Sequence, residues 1–283
     1  MIAPVVDASF LAAHPEAVLA DVRWYLDGRD GYAAFEAGHL PGARWVDLET
    51  ALAAHDQPAT EGRHPLPSPQ AFAAAMGRLG IGDRTIVVAY DDTGGLTAGR
   101  LVTMLRMLGR DAAVLNGGLA VWAADGNPIA YGPADVWEPD TFTAQPWPAD
   151  RLASADEAAA HAAAGGAVID ARAHERFTGA QAMIDPRPGH IPGARNAPWS
   201  AVLAPDGRLQ TADALRAHYA ALGADAGDTI AYCGSGVSAC MNVLAMEHAG
   251  LTPPRLYVAS WSGWSADADR PAEQGDPFAA ASE

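Results

Sequence analysis

Lysine is missing from the chain: among 283 residues all 18 basic side chains are arginine, set against 34 Asp and Glu, for a formal net charge of -16. That balance excludes a surface built to coat nucleic acid or to lie on an anionic membrane, because both need clustered positive charge. It also demands a local arginine cluster for any anionic substrate, since the overall field repels one. Cysteine is nearly missing too. Cys233 and Cys240 alone are too few for a disulfide scaffold or a cysteine-rich zinc centre, and no His, Cys or carboxylate spacing suggests a metal site. A phosphate-binding loop ending in Gly-Lys is absent: Asp91-Asp92-Thr93-Gly94-Gly95 follows a strand-like run but lacks that ending. No apolar run approaches the roughly 18 residues of a membrane span, and the first residues lack both a basic region and a continuous apolar one. The reading is a cytoplasmic protein without a signal peptide. What remains is ordinary globular composition, with 49% hydrophobic and 18% charged residues, enough for one large domain or two of about 140 residues.

Internal repetition decides between these. Gly38-His39-Leu40-Pro41-Gly42-Ala43 recurs as Gly189-His190-Ile191-Pro192-Gly193-Ala194. Before each copy an apolar run closes in Asp-x-Arg, at Arg23 and Arg172. After each copy come Gly-Asp, a short apolar strand ending at Tyr90 or Tyr232, a Gly-rich turn and a helical stretch closing in Leu108-Gly109 or Ala249-Gly250. A Trp follows at a matching offset, Trp122 and Trp264. The same features in the same order indicate a duplication. Short β-branched runs alternate with Ala-rich stretches of helical period, which predicts an α/β fold: a tandem pair of domains, each a small, mostly parallel sheet flanked by helices. The expected boundaries are 1–130 for the first domain, 131–150 for a Pro-rich linker and 151–283 for the second. Because both halves keep the Gly-His-x-Pro-Gly-Ala turn, His39 and His190 read as structural.

The second half carries the chemistry. Its strand Thr229–Tyr232 runs into Cys233-Gly234-Ser235-Gly236-Val237-Ser238-Ala239 and then a helix. Glycines let successive N–H groups turn inward, and the helix start adds roughly half a positive charge. Such a ring of N–H donors suits a thiolate, and the same ring would hold an anionic persulfide. Counting back from Leu108-Gly109 and Ala249-Gly250 sets Asp92 opposite Cys233 in a loop of equal length. A carboxylate there marks the position as facing a cavity. Cys240 reads as core.

These motifs resemble the two-domain rhodanese-like sulfurtransferases over nearly the whole chain. The resemblance implies a catalytically silent first domain, with Asp92 in the place of the Cys, and a catalytic second domain whose loop residues Gly234, Ser235, Gly236, Val237 and Ser238 cradle the Cys233 sulfur. Thiosulfate:cyanide members carry a cationic pair after the Cys, whereas 3-mercaptopyruvate members carry Gly-Ser, as here. The segment from Arg176 to Arg187 resembles the stretch in which two arginines bind the substrate's carboxylate and keto oxygen, a task suited to planar, permanently charged guanidinium forks. The stretch is longer than the family pattern, so the intervening loop must bulge. The family also implies a proton relay of Ser235, His64 and an acid, for which Glu49 stands in the matching place and Asp47 competes; Ser238 replaces a Thr. The implied reaction moves sulfur from 3-mercaptopyruvate through a Cys233 persulfide to a thiol such as a thioredoxin-like protein or glutathione, or to cyanide. It requires no metal or organic cofactor. Thiosulfate sulfurtransfer, a related phosphatase and a non-catalytic persulfide carrier are the rivals. The phosphatase needs a longer loop and a phosphate-gripping Arg where Ser238 and Ala239 stand.

Overall fold

The computed structural model describes residues 1–181 and 184–278. The chain forms two compact units. Unit one contains Met1–His55, Leu66–Pro148 and Leu203–Leu209; unit two contains Asp56–Pro65, Ala149–Val202 and the chain from Gln210 onward. These bounds correct the expected boundaries. The stretch 56–65 belongs with the second unit although it precedes the 131–150 segment, and Leu203–Leu209 belongs with the first. Nor is 131–148 a free linker. Asp140 donates its N–H to Gly77 O (2.9 Å), Thr143 hydrogen-bonds Asp83, and Phe142 packs edge-on against Phe72, so apolar burial ties the segment to unit one.

Unit one holds a parallel sheet of β1 (Val5–Val6), β2 (Val18–Asp21), β3 (Arg44–Trp45), β4 (Val87–Tyr90) and β5 (Ala112–Leu115), in the order β1-β5-β4-β2-β3. Unit two holds β6 (Ala167–Asp170), β7 (Arg195–Asn196), β8 (Thr229–Tyr232) and β9 (Arg255–Leu256), also parallel, in the order β7-β6-β8-β9. The inner strands β4, β5, β6 and β8 are buried along their whole length, as parallel strands covered by helices on both faces must be. Helices form where expected: Pro69–Arg78 and Ala98–Met107 in unit one, Ala212–Ala221 and Ala239–His248 in unit two. Ser68 and Thr211 cap the first helix of each pair by accepting N–H bonds from Ala71 and Ala214.

The repeated motifs form the same network twice. Asp21 takes a forked ion pair from Arg23, whose Nη2 also donates to Gly38 O (2.8 Å); Asp170, Arg172 and Gly189 O do the same (2.7 Å). The strand-end tyrosines, Tyr90 and Tyr232, accept the N–H of Leu40 and Ile191. His39 and His190 each bond through Nδ1 to a carbonyl, of Phe35 and Phe177, and each stacks on that phenyl ring at 3.8 Å. These bonds fasten the turn to the C-terminal ends of the strands, where open α/β sheets present their sites. Both histidines are structural, and burial holds His190 below its ordinary pKa.

Candidate active site

Cys233 directly follows β8, an inner strand, and is almost wholly buried. Its Sγ accepts the N–H of Gly236 at 3.1 Å. Gly236 has φ +75°, a left-handed conformation that glycine adopts without steric cost and that aims its N–H inward. The helix Ser260–Ala266 locks the loop from outside. Trp261 and Ser262 donate N–H bonds to Cys233 O and Gly234 O, both at 2.9 Å, and Ser260 Oγ accepts the Cys233 N–H at 3.1 Å while lying 4.0 Å from Sγ. Ser260 itself sits at φ +55°, rare for a residue with a Cβ and a mark of a position held by its surroundings. Val237 is buried, and Ser238 N-caps helix Ala239–His248 without committing its hydroxyl to the cap. Cys240 lies in that helix's first turn, buried, with Sγ donating to Gly236 O at 3.4 Å, as a core residue should.

Ser235 and His64 come together. His64 Nδ1 and Ser235 Oγ are 2.8 Å apart and both side chains are buried. The segment carrying His64 is held by a 3₁₀ turn (Ala59–Glu61) and by Gly62, at φ +83°, packed so closely on the Ala259 carbonyl that a Cβ would collide. Arg176 also reaches the loop. A Cβ built on Gly234 would lie 3.0 Å from Arg176 Nη2, tighter than ordinary carbon contacts, so glycine at 234 leaves room for the guanidinium. Among the described residues Arg176 Nε is buried with no hydrogen-bond partner.

Two side chains at this place had a sequence signal but no assigned role. Arg63, the neighbour of His64, brings Nη2 to 3.0 Å from the same Gly234 position. Asp185, inside the Arg176-to-Arg187 segment, bonds Arg63 Nη1 at 2.6 Å through Oδ1 and Arg176 Nη2 through Oδ2. Residues 182 and 183, part of the expected bulge, lie outside the described residues.

Arg187 departs from the clamp expectation. Its guanidinium donates to four backbone carbonyls: Ser265 (3.0 Å), Arg270 (2.9 Å), Trp264 (3.3 Å) and Asp267 (2.8 Å). These lie at and beyond the end of helix Ser260–Ala266, where carbonyls lack helical partners and a cation is favoured. Glu49 lies in the other unit, where it accepts the Trp24 indole N–H at 2.9 Å. Asp47 caps helix Leu48–Ala51, accepting the Glu49 N–H and the Thr50 hydroxyl, so its carboxylate is already engaged.

The counterpart of Cys233 also needs correction. Asp21 pairs with Tyr90 as Asp170 pairs with Tyr232, so the residue after each tyrosine corresponds, and Asp91 rather than Asp92 holds the Cys position. The unit-one loop carries one more residue before its helix, which is why counting from the helix end misplaces the match. The buried Asp91 carboxylate accepts N–H bonds from Thr93, Gly95, Thr97 and Ala98 and the Thr97 hydroxyl, filling its cradle. Asp92 instead accepts the Tyr25 hydroxyl at 2.6 Å; desolvation, and after it this bond, push that phenol up to about 12.

Among the described residues no group of three or more His, Cys, Asp or Glu could hold a metal ion, and no helix is long and apolar enough to cross a membrane. Comparison with known proteins matches the rhodanese-like domain twice, at residues 8–125 and 154–267. A Pseudomonas aeruginosa protein provisionally named a 3-mercaptopyruvate sulfurtransferase is 39% identical over 97% of this chain and 99% of its own. A Mycobacterium tuberculosis protein provisionally named a thiosulfate sulfurtransferase is 40% identical over 93% of each. The solved 3-mercaptopyruvate sulfurtransferase from Leishmania major superposes with a TM-score of 0.81 at 33% identity, covering 92% of this chain and 73% of that one. The chain therefore belongs to the rhodanese-like family, with two copies of its domain.

Proposed function

We propose that this chain is a sulfurtransferase that takes sulfur from 3-mercaptopyruvate onto Cys233 and passes it to a thiol or cyanide. The observation that carries the reading is the set of contacts on one loop: Cys233 Sγ receiving the Gly236 N–H, the Ser235–His64 hydrogen bond, and the Arg176 guanidinium against Gly234. In this reaction the Cys233 thiolate attacks the substrate's thiol sulfur. The C–S bond breaks, its electron pair stays on carbon as the pyruvate enolate, and Ser235, backed by His64, delivers the proton. An acceptor thiolate or cyanide then takes the outer sulfur and restores the Cys233 thiolate. Arg176 holds the carboxylate, while Arg187 acts as a strut for the end of helix Ser260–Ala266.

The unit-one loop supports the anionic intermediate. An Asp carboxylate oxygen stands one bond further from the chain than a Cys sulfur, the place a persulfide's outer sulfur would take. Asp91, in a loop one residue longer, accepts N–H bonds from Gly95, Thr97 and Ala98 there, which supports an anion at that place. Persulfide formation on Cys233 would set a negative sulfur at the corresponding place, next to the Gly236 N–H.

The Mycobacterium relative's name supports a second reading, thiosulfate as donor. Gly234 and Ser235 add no charge of their own beside Cys233, which favours a carboxylate-bearing donor over a compact dianion. The test is kcat/KM for both donors on the pure protein, with cyanide or a small thiol as acceptor. A preference for 3-mercaptopyruvate is expected; a preference for thiosulfate overturns the assignment.

A further inference from the structure

We infer that Arg63 is the second arm of the substrate clamp, opposite Arg176, and that Asp185 positions both arms. This rests on the 3-mercaptopyruvate reading and supplies the arm that Arg187, bound to carbonyls, does not. The two guanidiniums converge: each brings its Nη2 to 3.0 Å from the point where a Cβ on Gly234 would stand, next to the nucleophile. Two like charges at such separation repel unless a counter-charge lies between them. Asp185 is that counter-charge. Its side chain is 2% exposed, with Oδ1 on Arg63 and Oδ2 on Arg176. Arg172, 3.7 Å from Oδ2, is already committed to Asp170 by a forked pair and adds little net charge.

Each arm keeps donors for a ligand. Among the described residues Arg176 bonds Asp185 through Nη2 and leaves Nη1, 3.3 Å from the same Gly234 point, without a partner, and Arg63 makes no side-chain hydrogen bond other than that to Asp185. The base of the Arg63 arm is rigid, because its own N–H bonds Ser262 Oγ at 3.1 Å and Gly62 is pressed against Ala259. Two guanidiniums and one carboxylate leave one net positive charge, which matches a monocarboxylate. Planar forks approaching from two sides suit a carboxylate and its adjacent ketone.

The experiment measures KM and kcat for 3-mercaptopyruvate, and the inhibition constants of pyruvate and thiosulfate as competitors, in wild type, Arg63→Ala, Arg63→Lys and Asp185→Asn. Arg63→Ala should raise KM and the pyruvate constant together, on the order of 10- to 100-fold, with kcat changed much less. Arg63→Lys, which keeps charge and loses the fork, should fall between; it carries the test should the alanine variant not fold. Asp185→Asn raises the site's net charge by one, so affinity for thiosulfate relative to pyruvate should rise about fivefold or more. A merely structural Asp185 would weaken both alike. Both Arg63 variants binding pyruvate and substrate within twofold of wild type, or an unmoved thiosulfate-to-pyruvate ratio in Asp185→Asn, would overturn the inference while leaving the proposed activity standing. A wild type that turns over thiosulfate but not 3-mercaptopyruvate sinks the activity first, and the inference with it.

Discussion

Replacing Arg187 with alanine separates a strut from a clamp. Its guanidinium makes four hydrogen bonds to the carbonyls of Trp264, Ser265, Asp267 and Arg270. A buried hydrogen bond to a charged group contributes about 1.5–3 kcal/mol. Here the total must be well below four such values, because the guanidinium is half-buried and freed carbonyls at a helix end can rehydrate. Loss of the cation at the helix C-terminus adds a few tenths to 1 kcal/mol, on the order expected for such charges. Together these give roughly 2–4 kcal/mol, and at about 3–4 °C per kcal/mol for a unit of this size Tm should fall by about 6–15 °C. KM for 3-mercaptopyruvate should stay within about twofold of wild type. Arg176→Ala should do the reverse, raising KM on the order of 10- to 100-fold with little loss of Tm. Thermal melts and steady-state kinetics on the two variants decide the matter. An Arg187→Ala protein with unchanged Tm and a strongly raised KM would return that residue to the clamp and refute the reasoning.

Other outcomes follow from the same geometry. Ser235→Ala and His64→Ala should each slow pyruvate release on the order of 100-fold or more, as loss of a general acid does; unchanged release in both removes the relay. Gly234→Arg with Ser235→Lys should move the ratio of kcat/KM values toward thiosulfate, because full charges then flank Cys233 and the new side chain crowds Arg63 and Arg176; a ratio that does not move in a folded variant denies the loop its role in donor choice. Burial depresses His190 and His218. Below pH about 6.5 the unfolded chain therefore binds protons that the folded chain still refuses, and stability is lost as pH falls from there toward the folded values. Melts should show Tm declining from pH 7 to 5.5, less so in His190→Asn after its lower baseline is subtracted, and a Tm rising over that interval would contradict the sign.

The duplicated α/β architecture was legible because Asp-x-Arg, the Gly-His-x-Pro-Gly-Ala turn and the strand-end tyrosine are one hydrogen-bonded device, used twice. The Cys233 loop was legible for the same local reason: its glycines and the helix behind it are contiguous in sequence. A count from the helix end points to Asp92 rather than Asp91, because the unit-one loop is one residue longer and register is set by strand pairing, Tyr90 with Asp21. Arg63 stood in plain view beside His64, yet nothing local shows that its guanidinium shares a carboxylate with a residue far along the chain. Arg187 presented the opposite problem. An arginine in a loop with clamp-like neighbours reads as a ligand binder, and only its folded surroundings reveal the carbonyls it serves. The domain limits shifted for a similar reason, since 56–65 and 203–209 are assigned by packing rather than by position in the repeat.

Intact-mass analysis of the protein exposed to 3-mercaptopyruvate without an acceptor tests the central claim most directly. Wild type and Cys240→Ser should each gain one sulfur, discharged by cyanide or a thiol, and Cys233→Ser should gain none. A sulfur retained in Cys233→Ser, or lost only in Cys240→Ser, would contradict the assignment of Cys233 as the carrier.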